Sequence, residues 1–382
     1  MRIGIAGAGF AGAVMARELA DAGHDIDVFD ARHHVAGNCH TERDDDTGVM
    51  VHVYGPHIFH TGHDHVWEYV LRFGQFMPYE HRVKATAGGG VYGLPVNLLT
   101  INQFFGSTMR PNEAAAFVDA RSLELENQPV TFEDQALAFV GPDLYEAFFK
   151  GYTRKQWGLD PTELPASILK RLPLRFNYDD RYFDHPHVGI PADGYTPIVQ
   201  WILDHPRINI HLGQHVTAAD LVEFDHRFWT GPIDEYFGAT HGRLGYRTLD
   251  FEVERHDGDY QGCPVMNFCD EDVPYTRVTE FKHFTPWETH SRTLTYREYS
   301  RPCGPGDIPY YPIRLVAEKT QLRQYVDLAR QETGTTFLGR LGTYRYLDMD
   351  VTIHESLTGA QRFLAAVAAR QPPPAFFIDP FA

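Results

Sequence analysis

The sequence predicts an α/β protein in which a doubly wound core is interrupted by a helical domain and by an antiparallel β-sheet domain. Three observations predict it. A strand, glycine turn, helix and second strand open the chain; residues 98–178 are mainly helical in pattern; and from 243 to 316 polar and apolar residues alternate before the pattern returns to α/β. With 382 residues the chain has length for two or three packed units.

The opening unit is the most informative. Residues 2–6 form a short apolar strand, and Gly7-Ala8-Gly9-Phe10-Ala11-Gly12 turns into a helix of good helix formers from Ala13 to Ala20. Gly23 is placed to end that helix, and Ile26 to Asp30 read as the second strand. A G-x-G-x-x-G alone is a weak signal, but here a strand precedes it, a helix follows, and Asp30 stands about 20 residues on. This is the Rossmann-like setting. The glycines let the backbone approach a pyrophosphate at the positive helix end, and Asp30 can accept hydrogen bonds from a ribose. The spacing does not choose between NAD and FAD.

Further along, Glu113 to Val118, Gln135 to Val140 and the proline-bracketed Ala166 to Leu172 read as helices. Tyr195 to Leu203 reads as a helix and Ile208 to Leu212 as a strand. Leu249 to Val253, Thr276 to Thr279 and Thr293 to Tyr296 alternate as strands with one solvated or ligand-lined face. Thr336 to Arg340 and Val351 to Ala369 restore a strand and a helix.

Composition bounds the function. The chain is 43% hydrophobic and 22% charged, as ordinary globular proteins are. Its formal charge of −17 argues against nonspecific attachment to nucleic acid or to an anionic membrane, while leaving room for a local basic pocket. The four cysteines form no C-x-x-C pair, which fits a reducing cytosol. No apolar run is long enough for a membrane span, and the N-terminus lacks a signal-peptide pattern, so the expected location is cytoplasmic.

Two clusters carry candidate chemistry. Residues 33–65 hold eight histidines, among them His57 and His60, but no carboxylate stands at a ligand spacing such as H-E-x-x-H, and no metal is expected. Lys170, Arg171 and Arg175 put three cations in a proline-broken stretch, either as solvated charge or as a clamp for diphosphate.

Across nearly its whole length the chain resembles the UDP-galactopyranose mutase family. The likeness rests on GAGFAG at 7–12, HVAGN at 34–38, HVYGPHIFHT at 52–61, YGLPVN at 92–97, KGYTRKQWG at 150–158 and ELPASILKRLPLRF at 163–176. It continues through WTGPIDEYF at 229–237, NFCDEDVPYTRVTEFKHF at 267–284, PYYP at 309–312 and GRLGTYRYLDM at 339–349. The resemblance implies FAD, active when reduced, held by Gly7, Gly9, Gly12, Asp30, Asn38, Arg340, Asp348 and Met349. It implies an isomerase that interconverts UDP-galactopyranose and UDP-galactofuranose, the flavin N5 attacking the anomeric carbon while UDP leaves and returns.

By the same resemblance His57 and His60 position flavin and sugar, and Arg171 and Arg277 grip the diphosphate from opposite sides. Tyr182, Tyr311 and Tyr346 hydrogen-bond the diphosphate; Phe148, Tyr152, Thr153 and Phe183 lie near the uracil; Trp157 and Asn267 line the sugar or its loop. The implied domains are 1–76 with 194–242 and 318–382 for FAD, 96–178 helical with a mobile loop near 167–178, and 77–95 with 179–193 and 243–317 for the sheet. A homodimer is the family expectation.

The chain departs from the family pattern at Ala36, where a glycine is usual, at Asp193, at Leu347 and at His81, where an asparagine stands near the sugar. The alternatives are the same chemistry on another UDP-sugar such as UDP-N-acetylgalactosamine, a flavin oxidoreductase, or a silent nucleotide-sugar binder.

Overall fold

The structure, a computed structural model, describes residues 1–171, 173–313 and 315–381; of Ser167, Lys170, Arg171, Val316 and Ala317 only the backbone is described. A parallel sheet forms the first layer, with strands in the order Ile208–Leu212, Asp25–Asp30, Arg2–Ala6, His226–Trp229 and Thr335–Phe337. The helix Phe10–Asp21 packs on it with Ala11, Val14, Met15 and Leu19 buried, and its small residues let the last helix, Met349–Ala368, lie close against it. Gly23 ends the first helix at φ +92, its N–H donating to the Ala20 carbonyl, as the pattern predicts.

A mixed seven-stranded sheet forms the second body, in the order Tyr311–Pro312, Tyr246–Asp257, Arg292–Pro302, Arg277–Glu280, Val265–Phe268, Val83–Ala87 and Gly90–Leu94. Its junctions are antiparallel, as expected, except one: Val265–Phe268 runs parallel to Val83–Ala87. That junction joins two segments about 180 residues apart, so the chain has room for the crossover a parallel pair requires.

After Gly90–Leu94 of the second sheet the chain forms helices Leu98–Phe104, Pro111–Asp119, Phe132–Leu144 and Gly151–Trp157, which share a core with Leu164 and Leu169. Tyr145–Lys150 is a π-helical turn, an irregularity that often marks functional sites. Two expectations change in detail. Residues Ala166–Arg171 form a 3₁₀ segment rather than an α-helix, since Pro165 and Pro173 leave too little unrestricted chain. The strand expected through Arg340 stops at Phe337, because Gly339 takes φ +76 and starts a helical turn. Among the described residues no helix is long and apolar enough to cross a membrane.

Candidate active site

The glycine turn closes by steric necessity. A Cβ on Gly12 would lie 1.9 Å from the Gly7 carbonyl oxygen, and one on Gly7 would lie 1.9 Å from Thr230 Oγ1, with φ at +109. Gly7 N–H donates to the Phe29 carbonyl at 2.7 Å, which ties the turn to the second strand. The helix that follows begins at Gly9 with no side-chain cap and no acid in its first turn. Its first amides and positive end are therefore available to an anion, which is the arrangement a dinucleotide pyrophosphate needs.

Asp30 braces this turn: its Oδ2 accepts from Ala8 N–H at 2.8 Å and its Oδ1 from Arg32 N–H at 2.9 Å. Arg32 was not singled out by the sequence. Its Nη2 donates to Asn38 Oδ1 at 2.7 Å, its guanidinium lies 4.5 Å from the Tyr54 ring centre, and its buried Nη1 has no partner. Ala36 sits at φ +73, a conformation that costs an L-residue roughly 1–2 kcal/mol and that glycine adopts freely.

Beyond the turn opens a cavity of about 980 Å³, at the upper end for small-molecule sites. Asn38, His57, His60, His81, Phe148, Tyr152, Thr153, Trp157, Tyr182, Phe183, Asn267, Arg277, Tyr311, Arg340, Tyr346, Asp348 and Met349 all line it. Gly7, Gly9, Gly12 and Asp30 are not among its lining residues. The Arg171 side chain, expected to grip diphosphate, lies outside the described residues.

Arg277 is the charged centre of the far wall. In the sheet register it stands opposite Glu298 on one neighbouring strand and Asn267 on the other. Its Nε donates to Glu298 Oε2 at 2.8 Å, and Glu298 is fully buried and also accepts from Thr276 Oγ1 at 3.2 Å. Burial alone would lower the Arg277 pKa, but the Glu298 carboxylate carries it well above the ordinary value, so the cation is secure. Burial likewise raises Tyr152 and Tyr182, and pushes Tyr311 up to about 12, so these phenols stay neutral and able to donate. Tyr311 stacks on Tyr346 at 5.8 Å, and Arg340 lies 5.0 Å from the Tyr346 ring centre while its Nη2 donates to the Leu347 carbonyl at 2.6 Å.

The histidines are held neutral. His57 Nδ1–H donates to the Gly55 carbonyl at 2.8 Å, which leaves the Nε2 lone pair; burial pulls its pKa down to about 4. His52 accepts from His57 N–H at 2.9 Å through Nδ1, and burial holds it at about 3. His60 stacks on Phe183 at 3.8 Å, and its Nδ1 shares a hydrogen bond of 2.7 Å with Nδ1 of His185. His81 is buried, its pKa lowered to about 3 first by burial and then by the charge of Arg277. Its Nδ1 and Asn267 Oδ1 are two buried polar atoms without a protein partner beside the cavity, the kind of groups a sugar hydroxyl satisfies.

Glu298, Arg32 and Lys155 escaped the sequence reading, and His52 entered it only as one of the eight histidines of residues 33–65. Lys155 Nζ donates toward the carbonyls of Phe268, Asp270, Val273 and Tyr275 at 2.7–3.1 Å, pinning the loop between Asn267 and Arg277 to the helix that carries Trp157. The signal for Lys155 was its position inside the KGYTRKQWG motif; Glu298 lies beyond the Thr293 to Tyr296 alternation and had no local signal.

Comparison with known proteins gives the site a family context. A family profile described as UDP-galactopyranose mutase matches residues 147–346, and one described as an NAD(P)-binding Rossmann-like domain matches residues 5–73. The chain is 54% identical to a probable UDP-galactopyranose mutase of Klebsiella pneumoniae, over 98% of this chain and 97% of that one. It is 52% identical to a dTDP-fucopyranose mutase of Escherichia coli, over 94% and 97%. Its fold is similar to a crystal structure of reduced UDP-galactopyranose mutase, with TM-score 0.76 at 16% identity, covering 95% of this chain and 94% of that one.

Proposed function

The chain belongs to the UDP-galactopyranose mutase family, and we propose that it is a flavin-dependent isomerase interconverting UDP-galactopyranose and UDP-galactofuranose. The observation that carries the reading is Arg277, a buried guanidinium held by a buried carboxylate in a cavity lined by tyrosines. Such a fixed cation suits a diphosphate that must leave and return without escaping.

The uncapped helix end, the glycine turn and the unpartnered Arg32 Nη1 fit FAD, which Asn38, Arg340, Asp348 and Met349 on the cavity wall would also help to hold. Reduced FAD, when bound, supplies a nucleophilic N5 for the anomeric carbon. The protein does the rest. Arg277 stabilises charge developing on the departing diphosphate, and neutral Tyr182 and Tyr311, together with Tyr346, donate to its oxygens. Glu298 keeps Arg277 in place as the charge on the ligand changes. His57, with its proton tied to Gly55, offers only an acceptor at Nε2, and His60 is oriented by Phe183 and His185. Phe148, Tyr152, Thr153 and Phe183 give the base apolar and aromatic faces, Trp157 and Asn267 border the sugar, and Arg171 is assigned to the diphosphate from the opposite side.

The test is an anaerobic assay. Dithionite-reduced protein converts UDP-galactofuranose to the pyranose, read by chromatography, and oxidised protein does not; equal turnover in the two redox states sinks the proposal. A second reading concerns the sugar. His81 with its unpartnered Nδ1 and the near-equal identity to a dTDP-fucopyranose mutase favour running the assay across UDP- and dTDP-sugars, N-acetylgalactosamine included. Three domains with the boundaries given above, a cytoplasmic location and a homodimer belong to the same proposal, the last checked by light scattering.

A further inference from the structure

In the sequence His57 and His60 stand three residues apart, but the fold gathers other histidines more closely. His63 and His65 flank the start of the helix Asp64–Leu71, and His354 comes from the last helix, 289 residues beyond His65. One ring nitrogen of each lies within 4.8 Å of the other two. His65 Nε2 and His354 Nδ1 are 2.8 Å apart, and the rings of His63 and His354 are parallel, 4.6 Å between centres. His63 and His65 are exposed and His354 is half-buried.

We propose that His63, His65 and His354 form a surface site for one late first-row divalent cation, of which Zn²⁺, Ni²⁺ and Cu²⁺ are the members that favour imidazole nitrogen. Three histidines with a fourth position open to water is a known coordination set for zinc. Nitrogen ligands about a tetrahedral zinc stand roughly 3.3 Å apart given Zn–N near 2.0–2.1 Å. The His65–His354 pair needs only to open slightly. His63 must turn out of its stacked position so that its ring plane meets the ion, a rotation its exposure permits. The ion would tie the segment that carries His60 to the helix whose first residue, Met349, borders the cavity.

The other cluster of this kind among the described residues, Asp259, Glu280 and His283, differs in a decisive way. Lys282 Nζ already stands 3.4 Å from Asp259 and 4.0 Å from Glu280, so an ammonium occupies the cation's place. It serves as the control.

The experiment titrates chelator-treated, flavin-loaded protein with Zn²⁺ in competition with a chromophoric chelator, and records melting temperature with and without the ion. One equivalent bound at micromolar affinity or tighter, with a raised melting temperature, is expected. Since loss of an outer-sphere partner alone costs about 10–100-fold in affinity, His354→Gln and His65→Gln should each weaken that equivalent by about 100-fold or more. His283→Gln should leave it unchanged. With Cu²⁺, nitrogen couplings in the EPR spectrum should fall from three imidazoles to two in His63→Gln. Absence of the equivalent in the parent protein, or its retention by His354→Gln and His65→Gln at parent affinity, overturns the proposal. None of these readouts depends on turnover, so the mutase reading stands or falls separately.

Discussion

On the parallel-sheet side of the molecule the groups proposed to bind an anion are main-chain atoms, contributed within six residues from Gly7 to Gly12 and braced by Asp30. On the mixed-sheet side the proposed anion-binding group is a side chain, Arg277, set in one row between Asn267 and Glu298 across three adjacent strands. The first wall recognises a ligand by excluding Cβ atoms, and so tolerates almost no change of residue. The second recognises by charge and tolerates changes of shape while the charge is kept. The contrast suits the proposed chemistry: a cofactor that stays needs a fixed cradle, whereas a leaving group needs a cation that holds it through departure and return.

The comparison breaks most sharply at Arg277. Arg277→Ala should cost about 10²-fold or more in reduced-state turnover, because removing a single preorganised donor costs that much. It should also destabilise the fold by about 3–5 kcal/mol, since it leaves Glu298 buried and uncompensated. Arg277→Lys should retain more of both, and a loss of only a few-fold in the alanine variant would show that the wall is not electrostatic. On the other side, Gly12→Ala should abolish flavin binding, seen as loss of the yellow chromophore on purification, with the Cβ forced onto the Gly7 carbonyl. Retention of a full complement of flavin would show that the turn can shift.

A third prediction separates fold from site by pH. Burial holds His226, which lies in the parallel sheet, down to about 4 from an ordinary 6.5. Between those values the unfolded chain binds the proton and the folded chain does not. The stability is therefore whole above pH 6.5 and lost as pH falls toward 4, by about 3 kcal/mol in all. His52, His57 and His81 act in the same direction. Denaturant titrations at pH 7.5 and 5 should show the loss, and His226→Gln should reduce it; an unchanged pH dependence in that variant would assign the loss to the cavity histidines. The smallest effect is expected from His81→Asn, a change of about 10-fold in preference between two sugars that differ in one polar group, since leaving one buried polar group unpaired costs about 1–3 kcal/mol. Identical preference across the sugar panel would remove His81 from the specificity wall.

How far the sequence reads the molecule follows from how local each determinant is. The glycine turn, the uncapped helix behind it and the helix-ending Gly23 depend on residues within about twenty positions, where steric exclusion and helix geometry act on neighbours, and all were legible. The proline pair around residues 166–172 was legible as the bounds of a helix, and only the structure shows that so short an unrestricted segment closes as a 3₁₀ turn.

What the sequence by itself determined is the order of elements, the cradle for a dinucleotide, and, through long motifs, the family. The tertiary structure alone decided that Glu298 faces Arg277, that Lys155 caps four carbonyls between Asn267 and Arg277, that one junction of the second sheet is parallel, and that His354 meets His63 and His65. The physical reason is common to all four. Register across a sheet and contact between helices distant in sequence are set by the packing of whole apolar faces. No pattern local to either partner encodes which charged or polar side chain will then stand opposite.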